Sequence, residues 1–294
     1  MKNYLLQHYG INAGKIKKIS SGIANWNYYI KDNKKEYIFK IYRYRSLKQT
    51  EFETDILDFL VRKRFLCPKP IKNKKNKLFD VYNKKSCAVF IFIPGKVLKK
   101  VNNNIMYKIG KQTGYLHILL KNKKEIIKRE NWDLESIRYK LKNSKNKILK
   151  YKYPNKKYIV AFLEEELSKL KIPNNLITGI THQDIKPGNI IINKKGKLHF
   201  IDFDNMYNGV LLVDMVTILI WSGFKGNKIY EPYFTAYFKG YETQRKLTVK
   251  EKKYFKEILK FRLLREAFIW IWLYQDKKAQ KLCNKFIKLY KNLF

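Results

Sequence analysis

Several things that often decide how a sequence is read are scarce here. The three cysteines, Cys67, Cys87 and Cys283, are odd in number and widely spaced. That excludes a disulfide scaffold and a Cys-based metal site, and makes a reduced, cytoplasmic setting the default expectation. Glycine and proline are sparse, at 13 and 7 residues, and neither a repeat nor a Pro/Gly/Ser linker divides the chain. No run is long and apolar enough for a membrane helix: the longest, 210–224, carries Asp214, and the N-terminus MKNYLLQHYG has no signal-type apolar core. Acid is scarce too, with 24 Asp and Glu against 64 Lys and Arg, giving a net charge of +40. Such a charge ordinarily points to nucleic acid. Yet arginine is itself rare, at nine of the 64 basic residues, and the lysines are scattered along a chain rich in Asn, Ile, Tyr and Phe. An AT-rich genome produces that mixture, so a solvated lysine surface is expected, with no specific nucleic-acid or membrane partner.

What is present is a globular composition: 45% apolar and 15% aromatic over 294 residues, enough for one large domain or two lobes. A short helix opens the chain, strands are expected at 26–30 and 36–42, and helical spacing runs over 47–64 until Cys67-Pro68-Lys69-Pro70 stops it. Strands follow at 77–82 and 87–93, ended by Pro94-Gly95. Beyond that the pattern is helical at 104–120, 132–142 and 157–170, interrupted by a strand–turn–strand over 189–203, and helical again from Leu211 onward. The expected fold class is α+β: a small antiparallel-sheet lobe, 1–93, and a larger helical lobe, 94–294.

The strongest signal is Thr181-His182-Gln183-Asp184-Ile185-Lys186-Pro187-Gly188-Asn189, followed thirteen residues after Asn189 by the aspartate of Ile201-Asp202-Phe203-Asp204. His-x-Asp-x4-Asn followed by a strand ending in Asp-Phe is the residue set of protein-kinase-type phosphoryl transfer. That reaction needs a carboxylate near the attacking hydroxyl, for which Asp184 fits. It also needs oxygen ligands for Mg²⁺ on the phosphates of ATP, which Asn189 and Asp202 supply. His182 reads as packing beneath the loop. Asp204 either touches a second metal or caps the next segment, and Asp214, set in an apolar run, calls for a structural hydrogen bond near the loop. In the front half, Lys40 lies inside the apolar strand Tyr37-Ile38-Phe39-Lys40-Ile41-Tyr42. With the catalytic set in place, a phosphate-neutralising lysine is the better reading, and it needs an acidic partner from a helix. Of Glu51 and Glu53, the latter stands a helical turn before the Ile56, Leu57, Leu60 face and is preferred. The segment 20–25, with Gly22 and Asn25, occupies the place of a phosphate-covering loop. Phe90, Ile91 and Ile93 occupy that of a hinge whose backbone pairs with adenine.

These residues together resemble the aminoglycoside phosphotransferase and choline kinase superfamily, and within it the type II homoserine kinases. Gly22-Ile23-Ala24-Asn25-Trp26-Asn27-Tyr28, Ile93-Pro94-Gly95 and Thr113-Gly114-Tyr115-Leu116-His117 are similar to the family's opening strands, hinge exit and first C-lobe helix. Gly240-Tyr241-Glu242-x-x-Arg245-x-Leu247-Thr248-x-x-Glu251 resembles its C-terminal pattern, while Lys40 looks like the broader superfamily. The resemblance implies ATP and Mg²⁺, Asp184 as base, and Asn189 and Asp202 as metal ligands. A protein kinase is disfavoured because no activation segment separates Asp202 from the helical run at 210–221 and no Ala-Pro-Glu occurs. A non-catalytic relative is disfavoured because lysine, base and metal ligands are all present. The acceptor is expected to be a small alcohol. From Asn205 onward only seven acidic residues occur, and they are dispersed, which suits a polycationic aminoglycoside poorly. Arg262 and Arg265 either bind an acceptor carboxylate or form a salt bridge with Glu266. An amino-alcohol such as homoserine comes first, with aminoglycosides, choline and sugars as alternatives.

Overall fold

The computed structural model describes residues 1–19, 25–33, 35–123, 132–274 and 276–294. In chain order the front elements are α1 (Lys2–Tyr9), β1 (Lys15–Ile19), β2 (Asn25–Lys31), β3 (Glu36–Tyr42), α2 (Leu47–Arg62), β4 (Asp80–Tyr82), β5 (Lys85–Ile91) and β6 (Lys96–Val97). Then come α3 (Asn103–Leu120), α4 (Leu134–Leu149), α5 (Lys156–Lys169), β7 (Thr178–Thr181), β8 (Ile190–Ile192), β9 (Leu198–Phe200) and β10 (Tyr207–Val210). The chain ends with α6 (Leu212–Ser222), β11 (Phe224–Lys225), β12 (Lys228–Ile229), α7 (Glu231–Glu242), α8 (Val249–Leu273) and α9 (Lys277–Leu293).

Two compact units divide the described residues. One gathers Met1–Lys99 with Gly188–Met206, and the other holds the rest. The expected break at 93/94 therefore misses two pieces of the first unit. The physical reason is pairing: β6 joins β8, and β8 joins β9, in one three-stranded sheet. Phe200 N also donates to Leu66 O at 3.0 Å.

The first unit is built on an antiparallel five-stranded sheet of order β1-β2-β3-β5-β4. Alternation along β3 sends Phe39 and Ile41 with Ile30, Cys87 and Val89 into the core cluster under α1. Helix α2 starts where Ser46 accepts from Gln49 N at 3.2 Å while the Gln49 side chain accepts from Ser46 N at 3.1 Å, a capping box. It ends at Lys63 and Arg64, the latter left-handed at φ 60°, and so stops before the prolines expected to stop it.

The second unit is mainly helical. Helices α3 and α7 approach closely because glycine faces backbone in both directions: a Cβ at Gly110 would lie 2.0 Å from Tyr237 O, and one at Gly240 2.0 Å from Tyr107 O. This packing brings His117 of α3 to Tyr241 of α7, Nδ1 to hydroxyl at 2.8 Å. Among the described residues no helix is long and apolar enough to cross a membrane. The pair β7–β10 was not expected. Neither four-residue strand has a period of its own, and Thr181 meets Tyr207 only through the fold.

Candidate active site

In the first unit the site begins with Lys40. Strand β3 pairs with β2 and β5, so Lys40 stands opposite Asn27 and Ala88 in the middle of the sheet, 8% exposed. Its ammonium donates to Glu53 Oε1 at 3.1 Å, and it forms a second ion pair with Asp204. Glu53 is buried on α2 and also accepts from the Tyr42 hydroxyl at 3.1 Å, whereas Glu51 is exposed. Burial alone would discharge the ammonium, but the two carboxylates outweigh it and hold the Lys40 pKa well above its ordinary value. Burial likewise pushes Asp204 up, and the pull of Lys40 and Arg45 overcomes it, so the carboxyl stays below the usual carboxylate range.

Asp204 thus sits in an ion pair with Lys40. Its carboxylate also accepts from the Asn25 side chain, and its carbonyl from Arg45. Asn25 opens β2 directly after the segment 20–24, where Gly22 lies outside the described residues. On β5, Phe90 is buried and paired with Ile38. The Ile91 and Phe92 amides donate to Lys69 O at 2.9 Å and to Glu36 O at 3.0 Å. The amide of Ile91 therefore serves the fold and is not open to a base; Ile93 lies beyond the strand.

The β8–β9 hairpin brings the two expected metal ligands to neighbouring positions at its open end. Ile190 pairs with Phe200, and Ile201 N donates to Asn189 O at 2.9 Å, so Asp202 follows one residue past the partner of Asn189. Asn189 is buried and Asp202 exposed, the latter held in the left-handed region at φ 66°. An amide oxygen and a carboxylate are the hard donors that Mg²⁺ takes, and such an ion keeps water and phosphate oxygens as its other ligands. No group of three or more His, Cys, Asp or Glu side chains forms an all-protein cage among the described residues. One amide oxygen and one carboxylate suit an ion that keeps phosphate and water oxygens as its other ligands.

In the second unit the loop after β7 carries Asp184. Asp214, wholly buried at the start of α6, accepts from His182 N at 2.7 Å, Gln183 N at 2.6 Å and His117 Nε2 at 3.2 Å. Burial pushes its carboxyl up, but the His117 hydrogen bond and charge and the loop amide hold it below the ordinary aspartate value. This is the structural hydrogen bond expected of Asp214. His182 is 1% exposed, and its Nδ1 accepts from Asp184 N at 3.3 Å, as befits a packing role.

A stability prediction arises here. Asp214 binds its proton at lower pH when folded than when unfolded, so acidification favours the unfolded chain. Its contribution is whole above the ordinary aspartate range near pH ~3.9 and fades as pH falls through that range toward the folded value. Asp214→Asn should cost about 3 kcal/mol at neutral pH. The gap between variant and wild type should narrow toward pH ~4 and below. Urea midpoints measured across that range check it, and a gap independent of pH would contradict it.

Of the two arginines, Arg262 takes the salt-bridge alternative. Arg262 is 1% exposed on α8, and its guanidinium donates to Thr217 Oγ1 at 2.9 Å, to Gln183 O at 3.1 Å and to Glu266. Arg265 is 4% exposed and donates to Gln183 Oε1 at 2.8 Å. The salt bridge with Glu266 belongs to Arg262, and both residues face the loop of Asp184 from within the protein. Sequence reasoning missed Lys186, whose Nζ donates to Asp184 Oδ2 at 2.8 Å while lying 5.5 Å from the centre of the Trp221 ring. Its position two residues after Asp184 was the available signal, hidden among so many lysines.

The sequence profile described as the phosphotransferase enzyme family (APH) matches residues 15–247. A protein named homoserine kinase from Sinorhizobium medicae is 26% identical over 241 residues, 80% of this chain and 72% of that protein. One of the same name from Caulobacter vibrioides is 25% identical over 242 residues, 81% and 75% of the two chains. Among solved structures, the amicoumacin kinase hAmiN, in complex with AMP-PNP, Ca²⁺ and Ami, superposes with TM-score 0.77 at 17% identity, covering 99% of this chain and 92% of that one. A microcompartment-associated aminopropanol kinase superposes with TM-score 0.72 at 16% identity, covering 97% and 93%.

Proposed function

Since the chain belongs to the phosphotransferase enzyme family, we propose that it transfers the γ-phosphoryl group of ATP to the hydroxyl of a small amino-alcohol, with homoserine the first acceptor to test. The observation that carries the nucleotide half is Lys40, a buried strand lysine held between the carboxylates of Glu53 and Asp204. A lysine charged and fixed in this way offers its ammonium to nucleotide phosphates without reorganising. Asn189 and Asp202 would hold Mg²⁺, which would neutralise phosphate charge and polarise the transferred group. Adenine pairing falls to the backbone around Ile93, because the Ile91 and Phe92 amides serve the sheet.

Asp184 accepts the proton of the acceptor hydroxyl as its oxygen attacks phosphorus. Lys186 fixes one carboxylate oxygen of that base at 2.8 Å and keeps positive charge beside it. The stretch from Asp202 to the start of α6 is ten residues, which leaves no room for a peptide-docking activation segment. That, with the family, favours a small molecule over a protein as acceptor. Homoserine comes first because the named relatives cover about four-fifths of this chain. The arginine pair no longer argues for it. A reduced, cytoplasmic setting suits three buried free cysteines, Cys67, Cys87 and Cys283.

ATP consumption with Mg²⁺, measured against homoserine, aminopropanol, choline and kanamycin, tests the reading. Homoserine should give the highest kcat/KM. A higher value for one of the others would keep the kinase and replace the acceptor.

A further inference from the structure

Gln183 stands directly before Asp184 with φ 68°, a left-handed conformation that costs a residue bearing a Cβ roughly 1–2 kcal/mol. Its surroundings over-determine it. The backbone N–H donates to Asp214 Oδ1 at 2.6 Å, and the carbonyl accepts from Arg262 Nη2 at 3.1 Å. The side-chain amide donates to Thr181 Oγ1 at 2.6 Å and accepts from Arg265 Nη1 at 2.8 Å. The residue is 1% exposed.

Arg262 and Arg265 lie three apart on α8, on one face of the helix. Arg262 is itself fixed by Thr217 and Glu266. Arg265 has no ion pair with a carboxylate among the described residues, and its Nε is buried without a hydrogen-bond partner. It also contacts the carbonyl of Trp132 at 3.4 Å and the face of the Trp132 ring. Burial, reinforced by the neighbouring Arg262, pushes its pKa down to about 10. Among the described residues its shorter hydrogen bond is the one to Gln183.

We infer that Gln183, Arg262 and Arg265 are positioning residues, a clamp through which α8 sets the place of the Asp184 carboxylate. The inference rests on reading Asp184 as the base. The arginines act through the loop rather than on the acceptor.

The test uses the full chain with Gln183→Gly, Arg265→Met and the double variant, assayed with Mg·ATP and whichever panel acceptor is phosphorylated. Glycine adopts φ 68° without strain, so a bystander Gln183 would tolerate it or gain stability. The clamp predicts instead that each single variant lowers kcat about 10-fold or more, as small misplacement of a catalytic group does. KM for ATP should stay within about twofold, since the substitutions touch loop geometry and not uniform binding. The double variant should fall no further than the worse single one, because both remove the same contact. Gln183→Glu, which keeps an oxygen toward Arg265, should retain more activity than Gln183→Gly. Wild-type kcat in Gln183→Gly, or effects that multiply in the double variant, would overturn the clamp. So would a loss of kcat that only tracks a lower melting temperature. With Asp184→Asn run alongside, an unaffected Asp184→Asn rejects the base itself. A dead Asp184→Asn beside a fully active Gln183→Gly rejects only the clamp.

Discussion

Replacing Asp184 by Asn should lower kcat about 10²–10⁴-fold while Mg·ATP affinity stays close to wild type. Asn has nearly the same shape, and its oxygen still accepts from Lys186, so the loop keeps its anchors at His182, Gln183 and Asp214. What is lost is the negative charge and the capacity to take a proton. The nucleotide-side residues Lys40, Glu53, Asn189 and Asp202 belong to the other compact unit. Steady-state turnover, with calorimetric titration of the nucleotide, separates the two effects. A variant with unchanged kcat would remove Asp184 from the mechanism. A variant that no longer bound Mg·ATP would mean that its effect was not confined to the proton transfer.

Asp202→Ala carries the second large effect. The side chain is exposed at the end of the hairpin, so its removal should cost little folding stability. A direct Mg²⁺ ligand is worth several kcal/mol, and each ~1.4 kcal/mol is tenfold. Nucleotide affinity in Mg²⁺ should therefore fall on the order of 100-fold. Affinity measured in EDTA should hardly differ between variant and wild type. The diagnostic quantity is the ratio of the two affinities, which should collapse toward one. Asp202→Asn, keeping one oxygen but losing the charge, should fall between. Equal Mg²⁺ dependence in wild type and Asp202→Ala would take this residue out of the metal site and leave Asn189 without its partner.

The features that could be read from the chain are those whose signal is local. An apolar run beside a turn signal located β3 and with it Lys40. Helical spacing chose Glu53 over Glu51, and the contact at 3.1 Å follows from that choice. The spacing in 181–189 and 201–204 announced the loop and the hairpin, because each is one short stretch of chain with fixed turn chemistry. Whatever depends on distant segments was not legible. No periodicity tells that Thr181 will pair with Tyr207, or that Asp204 will join Lys40 across 164 positions. Arg262 and Arg265 show the same limit: spacing put them on one face of a helix, but burial decided that this face looks at Gln183. The left-handed backbone of Gln183 was hidden too, since its support comes from α6 and α8 and not from its neighbours in sequence.

The central claim is transfer of phosphate from ATP to a small hydroxyl. Its most direct test is ³¹P NMR of the protein with Mg·ATP and the acceptor panel, with Asp184→Asn as the control. The account predicts that the γ-phosphate signal of ATP is replaced by ADP and a new phosphate monoester of one panel member, in the wild type alone. Failure of the protein to bind Mg·ATP would contradict it, as would the same products appearing at the same rate with Asp184→Asn.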